Sequence, residues 1–394
     1  MNTTGLVSNV SGGIRQRTTI VGDIDLLLTV DASRLTGWED AGTFFVYGLG
    51  LYGDDPSQDV GDLQGVSAIA APNTWKLFEA WYQLPLFDGR VSLLAGLYDV
   101  TSEFDVIRSS SELFLQSSFG TGAELALGGE SGLSTFPTSS LGLRGQVNLT
   151  NDFTLRGAVM DGVVGDPNNL DGTHIILHKD DGLFLTMELA YYRFGELELQ
   201  ERAQQPDRLL RRRLTRAAAL QYDGKYAVGT WLFTREFDDL QKVDSSGTPI
   251  TRNETYGIYA LAEQGVYHEP QDHHEGLRVF ARVGWADPRV NQVEWYLGGG
   301  FVYTGLIPTR NSDQTGFGVA AALNGANFEK SQRQANQPVS QSEIVLEFTH
   351  SFSLHPAFNL QPDIQYVMNP GTDPTRSDAL VIGGRLEVYV DWFQ

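Results

Sequence analysis

Three carboxylates, Asp99, Glu103 and Asp105, fall close together in a stretch that lacks a regular hydrophobic period. A second set of polar groups, the arginines Arg144, Arg156, Arg278, Arg282 and Arg385, sits on one parity of alternating runs, with Leu143, Leu155, Val279, Val283 and Leu386 on the other. Glu79 and Trp81 share a parity in LFEAWYQ. Carboxylates accept pairs of hydroxyls and arginines donate to ring and hydroxyl oxygens, so a narrow ring of both signs replaces the water around a neutral polyol. Inward aromatics such as Trp81, Tyr192 and Tyr296 would add flat apolar surface. The same acids can instead cap turns or pair with wall arginines to hold a loop down.

Paired carboxylates also serve glycoside cleavage, and a carbohydrate-active enzyme is the alternative reading. Spacing singles out no acid pair among the 49 acidic residues, and no nucleophile elbow, phosphate loop or His-Glu zinc motif occurs. His268, His273 and His274 lie near Glu269, Asp272 and Glu275, and Asp54, Asp55, Asp59 and Asp62 are clustered; each set reads as a solvated loop before it reads as a metal site. The basic run Arg208, Arg211, Arg212, Arg213 and Arg216 reads as a turn or rim. No metal and no cofactor are expected.

Composition narrows the class. With 49 acidic and 28 basic residues the formal charge is −21, which argues against a nucleic-acid partner. The chain has no cysteine, so disulfides and thiol chemistry are excluded. A hydrophobic fraction of 41% is too high for disorder. No apolar run reaches about 18 residues, so no helical membrane span is expected. A β-barrel hides its lipid face in every second residue and stays open as a reading. Residues 1–11 lack the basic and apolar regions of a secretory signal, which does not imply a cytoplasmic protein.

Alternation recurs along most of the chain. Ile20, Ile24, Leu26, Leu28 and Val30 alternate with Thr19, Asp23, Asp25 and Thr29, and Leu386, Val388, Val390 and Trp392 with Arg385, Glu387, Tyr389 and Asp391. The runs have the length of tilted membrane strands, about 9–11 residues, and aromatics gather at their ends. Short connections at 85–90, 150–152, 223–224 and 353–357 are interspersed with long ones at 53–74, 99–138, 161–181, 236–253, 325–341 and 369–378. Under this rule the runs near 182–192 and 214–222 point the same way, so either 193–213 hides a strand or one run is misplaced. With the status of residues 1–10 also open, the count is 16 to 18, and even.

LFEAWYQ (77–83), GLYDVTSEFDVI (96–107), LFLQSSFG (113–120), FPTSSLGLR (136–144), VMDGVVGDP (159–167) and DGLFLTMELAYY (181–192) resemble the carbohydrate-selective porin family, OprB. NVSGG (9–13), VDASRLTGW (30–38), GDLQGVSAIAAPNTW (61–75) and PDIQYVMNPG (362–371) fit it in the same order. The resemblance implies an all-β fold, a transmembrane antiparallel barrel of 16 strands with 18 as the alternative, whose long extracellular loops fold into the lumen. It further implies passive diffusion of small neutral sugars across a bacterial outer membrane, with that membrane's lipid around the barrel and no catalysis; a homo-oligomer stays open. Residues 99–138 are the candidate constriction loop of a single barrel domain spanning 1–394. Two departures stand out: Gln394 follows the usual aromatic end, and 193–213 is longer than the family's connection.

Overall fold

The computed structural model describes residues 1–38, 40–193, 222–270, 272 and 275–390. Its first nine strands are β1 (Asn2–Ser11), β2 (Arg17–Asp31), β3 (Thr43–Gly53), β4 (Thr74–Leu86), β5 (Val91–Tyr98), β6 (Ser140–Asn148), β7 (Phe153–Asp161), β8 (Leu183–Arg193) and β9 (Gly224–Phe233). Nine more follow: β10 (Phe237–Val243), β11 (Pro249–Arg252), β12 (Thr255–His268), β13 (Gly276–Ala286), β14 (Val293–Thr304), β15 (Gln314–Asn324), β16 (Ser342–His355), β17 (Phe358–Met368) and β18 (Ala379–Val388). Sixteen of them close into one antiparallel barrel of sequential neighbours, β1 pairing with both β2 and β18, while β10 and β11 form a separate hairpin. Closure leaves no edge strand, so every ladder donor and acceptor of the wall has a neighbour.

The faces follow from the period of two. Leu26, Leu28 and Leu143 point outward and are 57%, 55% and 65% exposed, while Asp23, Asp25 and Arg144 point inward and are 5%, 4% and 2% exposed. Apolar side chains are outside and charges are buried, the reverse of the usual arrangement. The register confirms the expected parity of β2, β6, β8, β13 and β18.

Among the described residues the barrel has sixteen strands, the first at Asn2–Ser11. β8 and β9 pair directly, from Phe184 with Phe233 to Arg193 with Gly224, with nothing between them. Asp223-Gly224 is therefore not the turn of a barrel hairpin: Gly224 opens β9. Asp-Gly is only a local turn signal, and long-range pairing of β8 with β9 overrides it here. Arg193 at the end of β8 and Gly224 at the start of β9 lie at the barrel end that carries the connections 87–90, 149–152 and 356–357. The strand expected within 193–213, and the basic run, lie outside the described residues. The opposite end carries 54–73, 99–139, 162–182, 325–341 and 369–378, as well as 234–254, in which the β10–β11 hairpin replaces an expected irregular loop.

Candidate functional site

The inward parity of the wall holds the segment between β5 and β6, residues 99–139, inside the barrel. Phe104, Asp105, Ile107, Leu113, Phe119 and Leu125 are all buried. Its backbone turns and short helices leave amide groups without helical or ladder partners, and such groups need acceptors. Wall glutamates supply them in pairs. Glu263 on β12 accepts from Arg108 N and Ser109 N at 3.2 Å each, at the start of the helix Arg108–Leu113. Glu347 on β16 accepts from Leu115 N at 2.6 Å and Gln116 N at 3.1 Å. On the next segment, 54–73, Glu343 accepts from Leu63 N at 2.7 Å and Gln64 N at 3.0 Å.

Cations and hydroxyls hold the carbonyls. Arg282 on β13 places Nε 3.0 Å from Asp105 Oδ1 and donates to the carbonyls of Ser118 at 3.2 Å, Gly120 at 3.1 Å and Asp105. Lys225 Nζ donates to Val106 O at 2.8 Å, and Tyr296 Oη to Ser118 O at 2.7 Å. Asp105 N donates to Glu188 Oε2 at 3.0 Å and to Tyr259 Oη at 3.2 Å. Charged hydrogen bonds contribute about 1.5–3 kcal/mol each, so the nine between the wall and 99–139 hold the segment more firmly than apolar contact alone.

The wall opposite is shaped to receive it. The inward face of β15 is Gly316, Gly318, Ala320 and Ala322. A Cβ at Gly316 would lie 2.6 Å from Leu113, and one at Gly318 would lie 2.6 Å from Phe119. Only hydrogen at these two positions lets the apolar side of the segment reach the wall. Likewise a Cβ at Gly284 would lie 1.6 Å from Glu124 Oε1, so the Glu124 carboxyl occupies the space that a side chain there would fill. Burial pushes this carboxyl up to about 8, and the neighbouring Asp105 adds to the shift while Arg282 opposes it.

The ten residues singled out in the sequence fall into four places. Glu79, Trp81 and Asp99 form one hydrogen-bonded group and Glu103, Arg144 and Arg156 a second, and the two meet in the chain at Tyr98 and Asp99, where Tyr98 Oη donates to Glu103. Glu79 Oε2 accepts from Trp81 Nε1 at 3.0 Å and Asp99 N at 3.1 Å. Glu103 accepts from Arg144 Nε at 2.8 Å, and its carbonyl from Arg156 at 3.1 Å. Arg156 also donates to Gln146 Oε1 and Tyr192 Oη, each at 2.8 Å. Glu103 and Arg156 keep 17% and 14% of their side chains exposed, so the network reaches the water of the lumen. Asp105 and Arg282 form the buried clamp described above. Arg278 stands near the short-turn mouth, where it donates to Tyr222 O at 3.0 Å and Asp223 O at 3.1 Å. Arg385 lies on β18, 4.0 Å from Glu387.

Several residues that do the docking were not singled out: Glu188, Lys225, Tyr259, Glu263, Glu343 and Glu347. The signal available for the glutamates was a lone acid on the inward parity of an apolar strand, as in Glu263 of ALAEQ and Glu347 of IVLEF. The loop clusters do not converge on a common point. Asp59 accepts from Arg15 and Thr19, Asp54 pairs with Arg17, and Asp55 caps Ser57 N. His268 meets Asp223 and Glu269 meets Tyr303, while His273 and His274 lie outside the described residues. Among the described residues no group of three such side chains could hold a metal ion.

A closed sixteen-stranded barrel with a charged lumen and an inward-folded connection defines the porin class. The model of the carbohydrate-selective porins of the OprB family matches residues 17–389, and the chain belongs to that family. It is 23% identical over 389 residues to Porin B of Pseudomonas aeruginosa, an alignment covering 91% of this chain and 79% of that protein. It is 21% identical over 404 residues to the putative porin QuiX of Acinetobacter baylyi, covering 95% and 85%. The high-pH structure of Pseudomonas putida OprB superposes with a TM-score of 0.82 at 20% identity, covering 98% of this chain and 92% of that one. The low-pH structure of the same protein gives 0.57 at 16% identity.

Proposed function

We infer that the chain is a passive channel of the bacterial outer membrane for small neutral sugars, and that the solute passes the network of Glu79, Trp81, Asp99, Glu103, Arg144 and Arg156. The observation that carries this reading is the partial exposure of Glu103 and Arg156 beside the buried, wall-docked segment 99–139. Donors and acceptors alternate there at fixed positions, so a polyol can exchange its water for protein partners without a conformational step. Asp105, Arg282, Arg278 and Arg385 support the path by holding loops and wall. The fold and family make a channel the better reading than a hydrolase that would use Asp99 and Glu103.

Reconstituted in planar bilayers, the protein is expected to give stepwise ionic current that added monosaccharide reduces in a saturable way. Arg156→Ala should weaken that block about tenfold, the loss of one charged hydrogen bond, with the current steps retained. Sugar turnover without conductance would overturn the channel reading.

The outer apolar belt is read as the lipid contact. Spin labels at Leu143 and Leu386 should be relaxed by oxygen, which partitions into lipid, and labels at Gln146 and Glu387 by a water-soluble nickel chelate. The reverse pattern would refute the assignment.

A further inference from the structure

At the mouth bearing the long connections, a cavity of about 270 Å³ lies apart from the network above, between residues 126–138 and 164–174 and the adjoining ends of β3 and β4. It is slightly smaller than pockets that take drug-sized ligands, about 300–1,000 Å³, and so suits one sugar ring rather than a chain of them. Leu51 and Phe136 give it an apolar lining, and Lys76, Thr138, Asp166 and Asn169 give it polar groups.

Lys76 is the unusual member. Its side chain is buried, yet Nζ reaches only neutral oxygens, Thr138 Oγ1 at 3.1 Å and Leu170 O at 3.3 Å, and among the described residues it forms no ion pair. Asp171 acts on this ammonium only from beyond ion-pair distance, two of its three donors are used by Thr138 and Leu170, and the third remains to be satisfied. Asp166 uses one carboxylate oxygen to cap Asn168 N at 2.9 Å, leaving the other. Asn169 accepts from Asp171 N at 3.1 Å through its oxygen, leaving its amide donors. The cavity is held in shape because Thr173 bridges to β4, accepting from Leu77 N at 2.7 Å and donating to Leu77 O at 3.0 Å.

We propose that this cavity is a second carbohydrate subsite, which binds one neutral monosaccharide at the outer mouth before it reaches the lumenal network. A cation and an anion in the same lining favour a neutral solute over a sugar acid. An ammonium and amide as donors, a carboxylate as acceptor and an aromatic wall are the groups a pyranose engages. The proposal rests on the channel reading only for the class of solute.

The test is sidedness of block in the full-length channel, with glucose as the probe. Glucose added on the long-connection side should bind in two steps, a tight one and a weaker one, whereas from the short-turn side only the weaker lumenal block should appear. Lys76→Met and, separately, Asp166→Asn should weaken the tight step about tenfold and leave conductance and the block from the opposite side unchanged. Unchanged conductance also shows that each variant folds. Identical block from both sides in the unmodified protein, or a tight step that survives both substitutions, would overturn the subsite. Absence of block from either side would instead sink the channel's sugar specificity, so the two readings fail separately.

Discussion

Arg282→Ala should widen the channel and erase its sugar block while leaving the barrel folded. The guanidinium is nearly without exposure and joins β13 to Asp105 and to the carbonyls of Ser118 and Gly120. Removing it strands the Asp105 carboxylate in the interior, a loss of about 3–5 kcal/mol for a broken buried pair. That cost falls on the docking of 99–139, because no ladder bond between β12, β13 and β14 depends on the Arg282 side chain. Single-channel current should therefore rise and become noisier, and protease should cut within 99–139 while the barrel's melting in detergent stays near that of the parent. Adding Asp105→Ala removes the stranded charge and should recover part of the docking. Unaltered current and protease resistance in Arg282→Ala would show that the segment is held by its apolar side alone.

The second large effect is a pH dependence of the same docking through Glu124. Its folded value, about 8, lies above the ordinary carboxyl value of 4.5. Below pH 4.5 the group is protonated whether the segment is docked or free, and it costs nothing. Between about 4.5 and 8 the docked form holds a proton that the released form has lost, so docking weakens as pH rises. Above about 8 both forms are ionised and the penalty levels off, on the order of a few kcal/mol in total. The charged groups acting on Glu124 are Asp105, which disfavours its charge, and Arg282, which favours it, while the neutral Tyr296 hydroxyl lies nearby. Amide exchange in 99–139 should quicken from pH 5 to pH 8 beyond its intrinsic rise. Glu124→Gln mimics the protonated form and should flatten that excess; the same profile in both proteins would refute the assignment.

What sequence reasoning reads well here is direction, not depth. Parity alone placed Asp23, Asp25, Arg144 and Arg385 inside and Leu28, Leu143 and Leu386 outside, because a period of two leaves a strand residue only two choices. Depth along the barrel axis leaves no such mark. Arg278 and Arg282 share a parity and stand four residues apart, yet one meets Tyr222 and Asp223 near the short-turn mouth and the other clamps Asp105 in the middle.

The docking partners were illegible for a related reason. Glu347 and Leu115 are separated by 232 residues and meet only through the closed wall. Asp105 looked, from composition, as available to solute as Asp99 or Glu103, but the turn that carries it faces Arg282 and excludes water. Gly224 was read as half of a turn because its neighbour is Asp, whereas its partner across the wall, Arg193, is what fixes it in a strand.

The bare inward face of β15 bears on how such a channel acquires its selectivity. Strand number sets the bore of the cylinder, but the free passage is whatever the inserted segment leaves uncovered. Gly316 and Gly318 lie behind that segment, against Leu113 and Phe119 and on the side of the barrel away from the Glu103–Arg144 pair, and act as a shim of minimum thickness. Any methylene added there has nowhere to go except into the back of the segment, which it would drive across the passage. The gauge of this filter is thus set partly by residues that no permeating molecule touches, and it can be retuned from the far wall with every solute contact left in place.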